Sequence, residues 1–136
     1  MNSKKHLLFV CVENSCRSQM AEAFARIHAG DSVSAFSAGS CPSGIVNPKA
    51  VASMAEIGYD LSTHDSKSLD DLPDLEWDLV ATMGCGDECP FIRARHREDW
   101  DIPDPKDMPP DEFRAVRDEI ERRVRSALSG VYSAST

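Results

Sequence analysis

Eight consecutive residues, Cys11-Val12-Glu13-Asn14-Ser15-Cys16-Arg17-Ser18, set a thiol six positions ahead of an arginine and a hydroxyl. A thiol becomes a nucleophile as its thiolate, and a nearby cation, hydroxyl donor or helix N-terminus favours that form. Arginine offers a planar fork that clamps two oxygens of one anion, a geometry lysine cannot reproduce. The chemistry implied is attack by Cys11 on a tetrahedral oxyanion. The oxyanion would be held by the stretch Glu13, Asn14, Ser15, Cys16, Arg17 and Ser18, with the Ser18 hydroxyl bonding the sulfur. With no glycine in the loop, Asn14 is the residue best able to take a left-handed backbone conformation. The pattern is not a Walker phosphate loop, which needs Gly-Lys followed by Ser or Thr.

Such a loop works only where a strand delivers it and a helix N-terminus receives it. Lys5 to Val12 is a short β-prone run suited to a central strand. From Arg17 the apolar residues Met20, Ala21, Phe24, Ala25 and Ile27 recur at helical spacing, and Gly30 is a stop signal. A second strand is expected over 32–38, and a Gly/Pro/Ser-rich loop follows it. Pro48 then opens a second helix running to Gly58. Residues 78–84 read as a third strand and 97–100 as a fourth. The last helix spans 110–128, with Phe113, Val116, Ile120, Val124 and Leu128 on one stripe, and the residues after it read as a frayed tail. Strands alternating with helices give an α/β fold, here a single domain with a four-stranded parallel sheet and helices on both faces. Ligands in such folds bind at the carboxyl ends of the strands, where Cys11 and the pair Cys85 and Cys89 fall.

The chain of 136 residues has the length of one domain and carries 15 basic against 23 acidic residues, a formal charge of −8. That balance disfavours nonspecific contact with nucleic acid or an anionic membrane, while a local site can still hold a small anion. No apolar run reaches membrane-spanning length, and the N-terminal one breaks at Glu13-Asn14, too early for a secretory leader. A cytoplasmic location is expected. Five cysteines are an odd number for a disulfide framework and point instead to reactive thiols. Cys16 is expected to pack beneath the loop, and Cys41 to play no part. Cys85 and Cys89 can be read as resolving thiols, as packing or as half a zinc site; Cys-x3-Cys with His96 alone does not complete the last. "DIPDPKDMPP" is a proline-stiffened acidic loop fit for a proton donor, and its residues alone do not choose among Asp101, Asp104 and Asp107.

The stretches "NSCRSQMAEAF", "FSAGS" with "GIVNPKAV", "MAEIGYDLS", "MGCGDECP", "EDWDIPDP" and "FRAVRDEIERRV" together resemble the arsenate reductases of the low-molecular-weight protein tyrosine phosphatase superfamily. The resemblance covers nearly the whole chain. It implies Cys11 as nucleophile, Arg17 as anion clamp and Asp104, in the Asp-Pro pair, as general acid. Unlike phosphate, an arsenic(V) adduct has a reductive exit, because a second thiol can attack the Cys11 sulfur and push two electrons onto arsenic. Cys85 and then Cys89 would serve in an internal cascade reopened by thioredoxin. In the other coupling an external thiol, mycothiol or glutathione, acts with mycoredoxin or glutaredoxin. The internal order is favoured because both thiols are present. No bound cofactor and no metal are expected. Lys67, near a position where some relatives carry a potassium-binding aspartate, implies no potassium requirement. Two other functions stay open: hydrolysis of phosphotyrosine, against which the residues after Pro105 lack aromatic walls, and a non-enzymatic redox sensor or oxyanion-binding module, against which the Asp-Pro acid stands.

Overall fold

The computed structural model describes residues 4–84 and 92–134. Four strands, β1 (Lys5–Cys11), β2 (Val33–Gly39), β3 (Trp77–Met83) and β4 (Ala94–Trp100), form one parallel sheet in the order β2-β1-β3-β4. Three α-helices accompany them among the described residues: α1 (Arg17–Ala29), α2 (Pro48–Ala55) and α3 (Pro110–Ala134). The chain leaves β1 for β2 on one side and returns to β3 on the other. The order therefore reverses at β1, and loops diverging there open a crevice at its carboxyl end. Cys11 is the last residue of that strand.

Both sheet faces are covered, as the near-continuous apolar run of β1 requires. Leu7, Phe9 and Cys11 of β1, with Leu79, Ala81 and Met83 of β3, join a core that includes Phe24 of α1, Met54 of α2 and Phe113, Ile120 and Val124 of α3. Leu8, Val10, Trp77 and Val80 face the other way, under Leu69, Leu72, Leu75 and Ile92, where Leu69–Asp71 makes a 3-10 turn. Asn47 caps α2 through its side chain, which accepts from the Lys49 N–H at 2.9 Å, and Pro48 occupies the first turn.

The differences from expectation have physical causes. Ile27 is 44 % exposed, not part of the buried stripe. At 100° per residue it falls about 90° from the stripe's centre, and His28 instead stacks on Phe24. Strand β4 starts at Ala94 rather than 97 and buries only Trp100; as an edge strand of mostly charged residues it offers little alternation to read. Helix α2 stops at Ala55, before a turn that ends at Gly58 with φ +86°. Helix α3 runs on to Ala134, through the stretch read as a tail, while its predicted stripe is buried throughout. No helix among the described residues is long and apolar enough to cross a membrane.

Phe9 is fully buried in the central strand with its ring 5.9 Å from that of Trp100. Phe9→Ala is expected to cost about 3–5 kcal/mol of unfolding free energy, in the range of large-to-small core changes, measurable by urea denaturation.

Candidate active site

The loop between β1 and α1 turns its carbonyls outward onto a neighbouring segment. The amides of Ser40, Cys41, Ser43 and Asn47 donate to the carbonyls of Cys11 (3.3 Å), Val12 (2.8 Å), Glu13 (3.0 Å) and Ser15 (3.0 Å). Asn14 interrupts the series with φ 51°, the only non-glycine residue at positive φ among those described, as expected from the absence of glycine in the loop. Its carbonyl takes a side-chain donor instead, Gln19 Nε2 at 3.1 Å. With the carbonyls bound behind it, what the loop presents to its concave side is N–H groups, together with the N-terminus of α1, the arrangement that attracts an anion.

This zipping needs close approach at Gly39, which pairs in register with Cys11. A Cβ there would lie 2.4 Å from the Val12 carbonyl oxygen and 3.0 Å from the Asn14 nitrogen.

Cys11 Sγ lies 2.9 Å from Ser18 Oγ. The direction of that bond is fixed by what stands behind it. Asn14 Nδ2 donates to Ser18 Oγ at 2.7 Å, so the serine's own hydrogen is left for the sulfur. Asn14 Oδ1 accepts from Gln19 Nε2 and from the Lys67 N–H, both at 2.8 Å, which sets the amide's orientation. Gln19 Oε1 accepts from His64 Nδ1 at 2.9 Å, and Tyr59 Oη lies 2.7 Å from His64 Nε2. The result is one directional chain, Tyr59 to His64 to Gln19 to Asn14 to Ser18, ending on the Cys11 sulfur, in which His64 carries its proton on Nδ1. Burial holds His64 below its ordinary value, against the opposing pull of Glu22. Glu22 is itself buried, accepting from Ser37 Oγ and Arg26 Nη2, both at 2.6 Å.

Arg17, buried at the start of α1, donates through Nη1 to the Ile102 carbonyl at 3.1 Å, while Nη2 stands 3.8 Å from Asp104 Oδ2. Gly84, with φ +70°, follows β3 and lies against the same guanidinium: a Cβ there would come within 2.3 Å of Arg17 Nη1. Asp104 is exposed in the loop before α3, and its Oδ1 accepts the Lys106 N–H at 3.1 Å. Asp104, the acid of the Asp-Pro pair, thus stands beside Arg17, the residue expected to clamp an anion.

Cys16 is buried at the foot of the loop, as expected, and burial pushes its thiol up to about 12. Cys41 is exposed. Lys67 directs its ammonium to the Asp65 carbonyl at 3.0 Å. The described residues contain no cluster of His, Cys, Asp and Glu able to hold a metal ion. Cys85 and Cys89 lie outside the described residues. Sequence reasoning missed Gln19, His64, Tyr59 and Lys106. Gln19 had a signal, since it directly follows Arg-Ser in the first turn of α1; His64 and Tyr59 are brought in by tertiary packing, from more than 40 positions away.

With this geometry in view, the model of the low molecular weight phosphotyrosine protein phosphatases matches residues 6–134. The chain belongs to that family. It is 42 % identical over 131 residues to an arsenate reductase of Staphylococcus aureus strain Newman, covering 93 % of this chain and 98 % of the relative. Among solved structures it is similar to an arsenate reductase in a phosphate-binding state, with a TM-score of 0.82 and 32 % identity over 93 % of this chain and 98 % of that one. It is also similar to the thioredoxin-dependent arsenate reductase of Corynebacterium glutamicum, with a TM-score of 0.77 and 32 % identity over 96 % of this chain and 63 % of that one. In this family member, the loop, the arginine and the Asp-Pro acid meet at one strand end.

Two outcomes follow from the geometry. Gly84→Ala combines a positive φ with a clash on Arg17, so it should weaken inorganic phosphate binding about tenfold or more, read by calorimetric titration, while the melting transition stays cooperative. His64 has a folded value below its unfolded one, so the unfolded chain binds more protons in the window just below about pH 6.5. Stability is therefore present in full above that window and falls as the pH drops through it. His64→Gln should flatten this slope in urea denaturation series between pH 7 and pH 5.

Proposed function

We propose that this protein reduces arsenate to arsenite, a reaction of arsenic detoxification. The observation that carries the reading is the pairing of Cys11 Sγ with Ser18 Oγ at 2.9 Å beside an Arg17 fork whose Nη2 stands 3.8 Å from Asp104. Nucleophile, anion clamp and proton donor thereby share one cleft. The relatives named as arsenate reductases support the choice of arsenate over a phosphoester.

In the first step the Cys11 thiolate attacks arsenic(V), an S–As bond forms, and one As–O bond breaks. Asp104 gives its proton to the departing oxygen, which leaves as water. Arg17 and the loop N–H groups hold the remaining oxygens and stabilise the charge that builds on them. In the second step a thiolate attacks Cys11 Sγ. An S–S bond forms, the S–As electron pair goes to arsenic, and arsenite departs with arsenic(III). Cys85, followed by Cys89 attacking Cys85, fits that role and would leave a disulfide for thioredoxin to reduce. In the alternative coupling, mycothiol or glutathione supplies the thiol, and mycoredoxin or glutaredoxin completes the cycle. No resident cofactor or metal enters either route.

Cys11→Ser should form no arsenite with any reductant. Arg17→Lys should lower kcat/KM for arsenate by about two orders of magnitude, the scale of one lost charge-stabilising contact, with little change in stability. Asp104→Asn should lower kcat and remove one limb of its pH profile. Arsenite release measured with thioredoxin, and separately with mycothiol or glutathione plus the matching redoxin, identifies the reductant. An internal cascade makes Cys89→Ser stop after one equivalent of arsenite with Cys11 and Cys85 joined, whereas an external thiol leaves that variant turning over. Rapid aryl phosphate hydrolysis without arsenite formation would overturn the reductase reading.

A further inference from the structure

The anion cradle carries a carboxylate at its own rim. Glu13 is the second residue after Cys11, and its backbone is fixed from behind, its carbonyl accepting from the Ser43 N–H at 3.0 Å and from Ser66 Oγ at 3.1 Å. Its side chain reaches across to the acid loop, where Oε2 meets Lys106 Nζ at 2.9 Å. Lys106 is tied into that loop twice more. Its N–H caps Asp104 Oδ1 at 3.1 Å, and its carbonyl accepts from Lys49 Nζ, on α2, at 2.8 Å. One residue therefore links the cradle, the acid and a neighbouring helix.

An oxyanion entering this cleft meets Arg17 but also the carboxylates of Glu13 and Asp104. An uncompensated carboxylate at the mouth would repel it, and water screens such a charge incompletely at short range. We propose that Lys106 is a positioning residue for oxyanion capture, whose ammonium masks Glu13 and straps the acid loop to the rim of the cradle. The hydrogen bond from Lys106 to Glu13 also holds the ammonium above its ordinary value, so Lys106 keeps its charge across the neutral range. As a pair half-open to water it adds little to global stability. Its effect is local, on the sign of the field at the entrance. This proposal rests on the oxyanion-site reading and assigns a group outside the Cys-x5-Arg-Ser and Asp-Pro motifs.

The test is calorimetric titration of the reduced, full-length protein with inorganic phosphate at low ionic strength and pH 7. Lys106→Met removes the ammonium but keeps the backbone N–H that caps Asp104 and the carbonyl that Lys49 holds. It should weaken phosphate binding about five- to tenfold, as expected for one exposed carboxylate left unmasked near an anion. Lys106→Arg should keep binding close to wild type. The double variant Glu13→Gln with Lys106→Met should recover most of the loss, because the repelling charge is gone, and Glu13→Gln alone should bind phosphate at least as tightly as wild type. A merely structural strap would leave the double variant as weak as Lys106→Met, and that result overturns the proposal, as does wild-type affinity in Lys106→Met. Absence of saturable phosphate binding in the wild type would remove the oxyanion-site reading and this proposal together; normal wild-type binding with an unaltered Lys106→Met removes only the proposal.

Discussion

The site depends on the direction in which one short loop turns its peptide groups. A peptide unit has a donor and an acceptor, and an anion can use only the first. Between Cys11 and Ser15 the acceptors are bound by amides of residues 40–47 and by Gln19, and the inversion at Asn14 lets the chain complete the curve into α1. Each requirement reaches back into the sheet. Gly39 must lack a side chain for the two segments to close, and it sits in register with Cys11 because β2 pairs with β1 from Lys5 onward. The cradle is therefore a product of pairing with a strand distant in sequence, Cys11 with Gly39, rather than of the loop alone.

The orientation of Ser18 shows the same dependence at the level of a single hydrogen. A serine beside a cysteine can donate or accept. Here Asn14 occupies the acceptor side of Ser18, and Asn14 is in turn held by Gln19 and the Lys67 amide. A thiolate is an acceptor only, so a donor committed to it stabilises the charged sulfur where a freely rotating hydroxyl would do so part of the time. The buried amides that impose this are satisfied at nearly every position, which makes the network rigid instead of costly.

How much of this was legible in the sequence follows from range. Cys11, Arg17 and Ser18 lie within eight residues, so their spacing alone raised the expectation of an oxyanion loop, and the missing glycine singled out Asn14 for the left-handed position it takes. The strong periods of α1 and α3 gave their core faces, apart from Ile27 at a stripe's edge. Strand β4 was hard to delimit because an edge strand of charged residues hides its alternation. Asp104 was one of three acids in a proline-stiffened loop, and the resemblance chose it; its 3.8 Å approach to Arg17 is a tertiary fact. Gln19, His64, Tyr59 and Lys106 matter through partners that only the folded chain supplies, and no local pattern encodes such partnerships.

Two cysteines only five positions apart, both buried, raise the question of why one and not the other should react. Their surroundings separate them. Cys11 ends strand β1 with a committed hydroxyl donor, Ser18 Oγ, at 2.9 Å. Cys16 has only a weak contact from Ser15 Oγ at 3.9 Å, and burial dominates, pushing its thiol up to about 12. Asp104 and Cys11 add to that rise, since negative charge nearby makes a second thiolate dearer still, and Arg17 offsets it only in part. At neutral pH Cys16 is accordingly a small apolar group under the loop, and it does not compete as nucleophile or capture the sulfur beside it. The loop can thus carry a second cysteine without short-circuiting the first, because desolvation keeps that thiol protonated while the Ser18 hydroxyl is committed to Cys11.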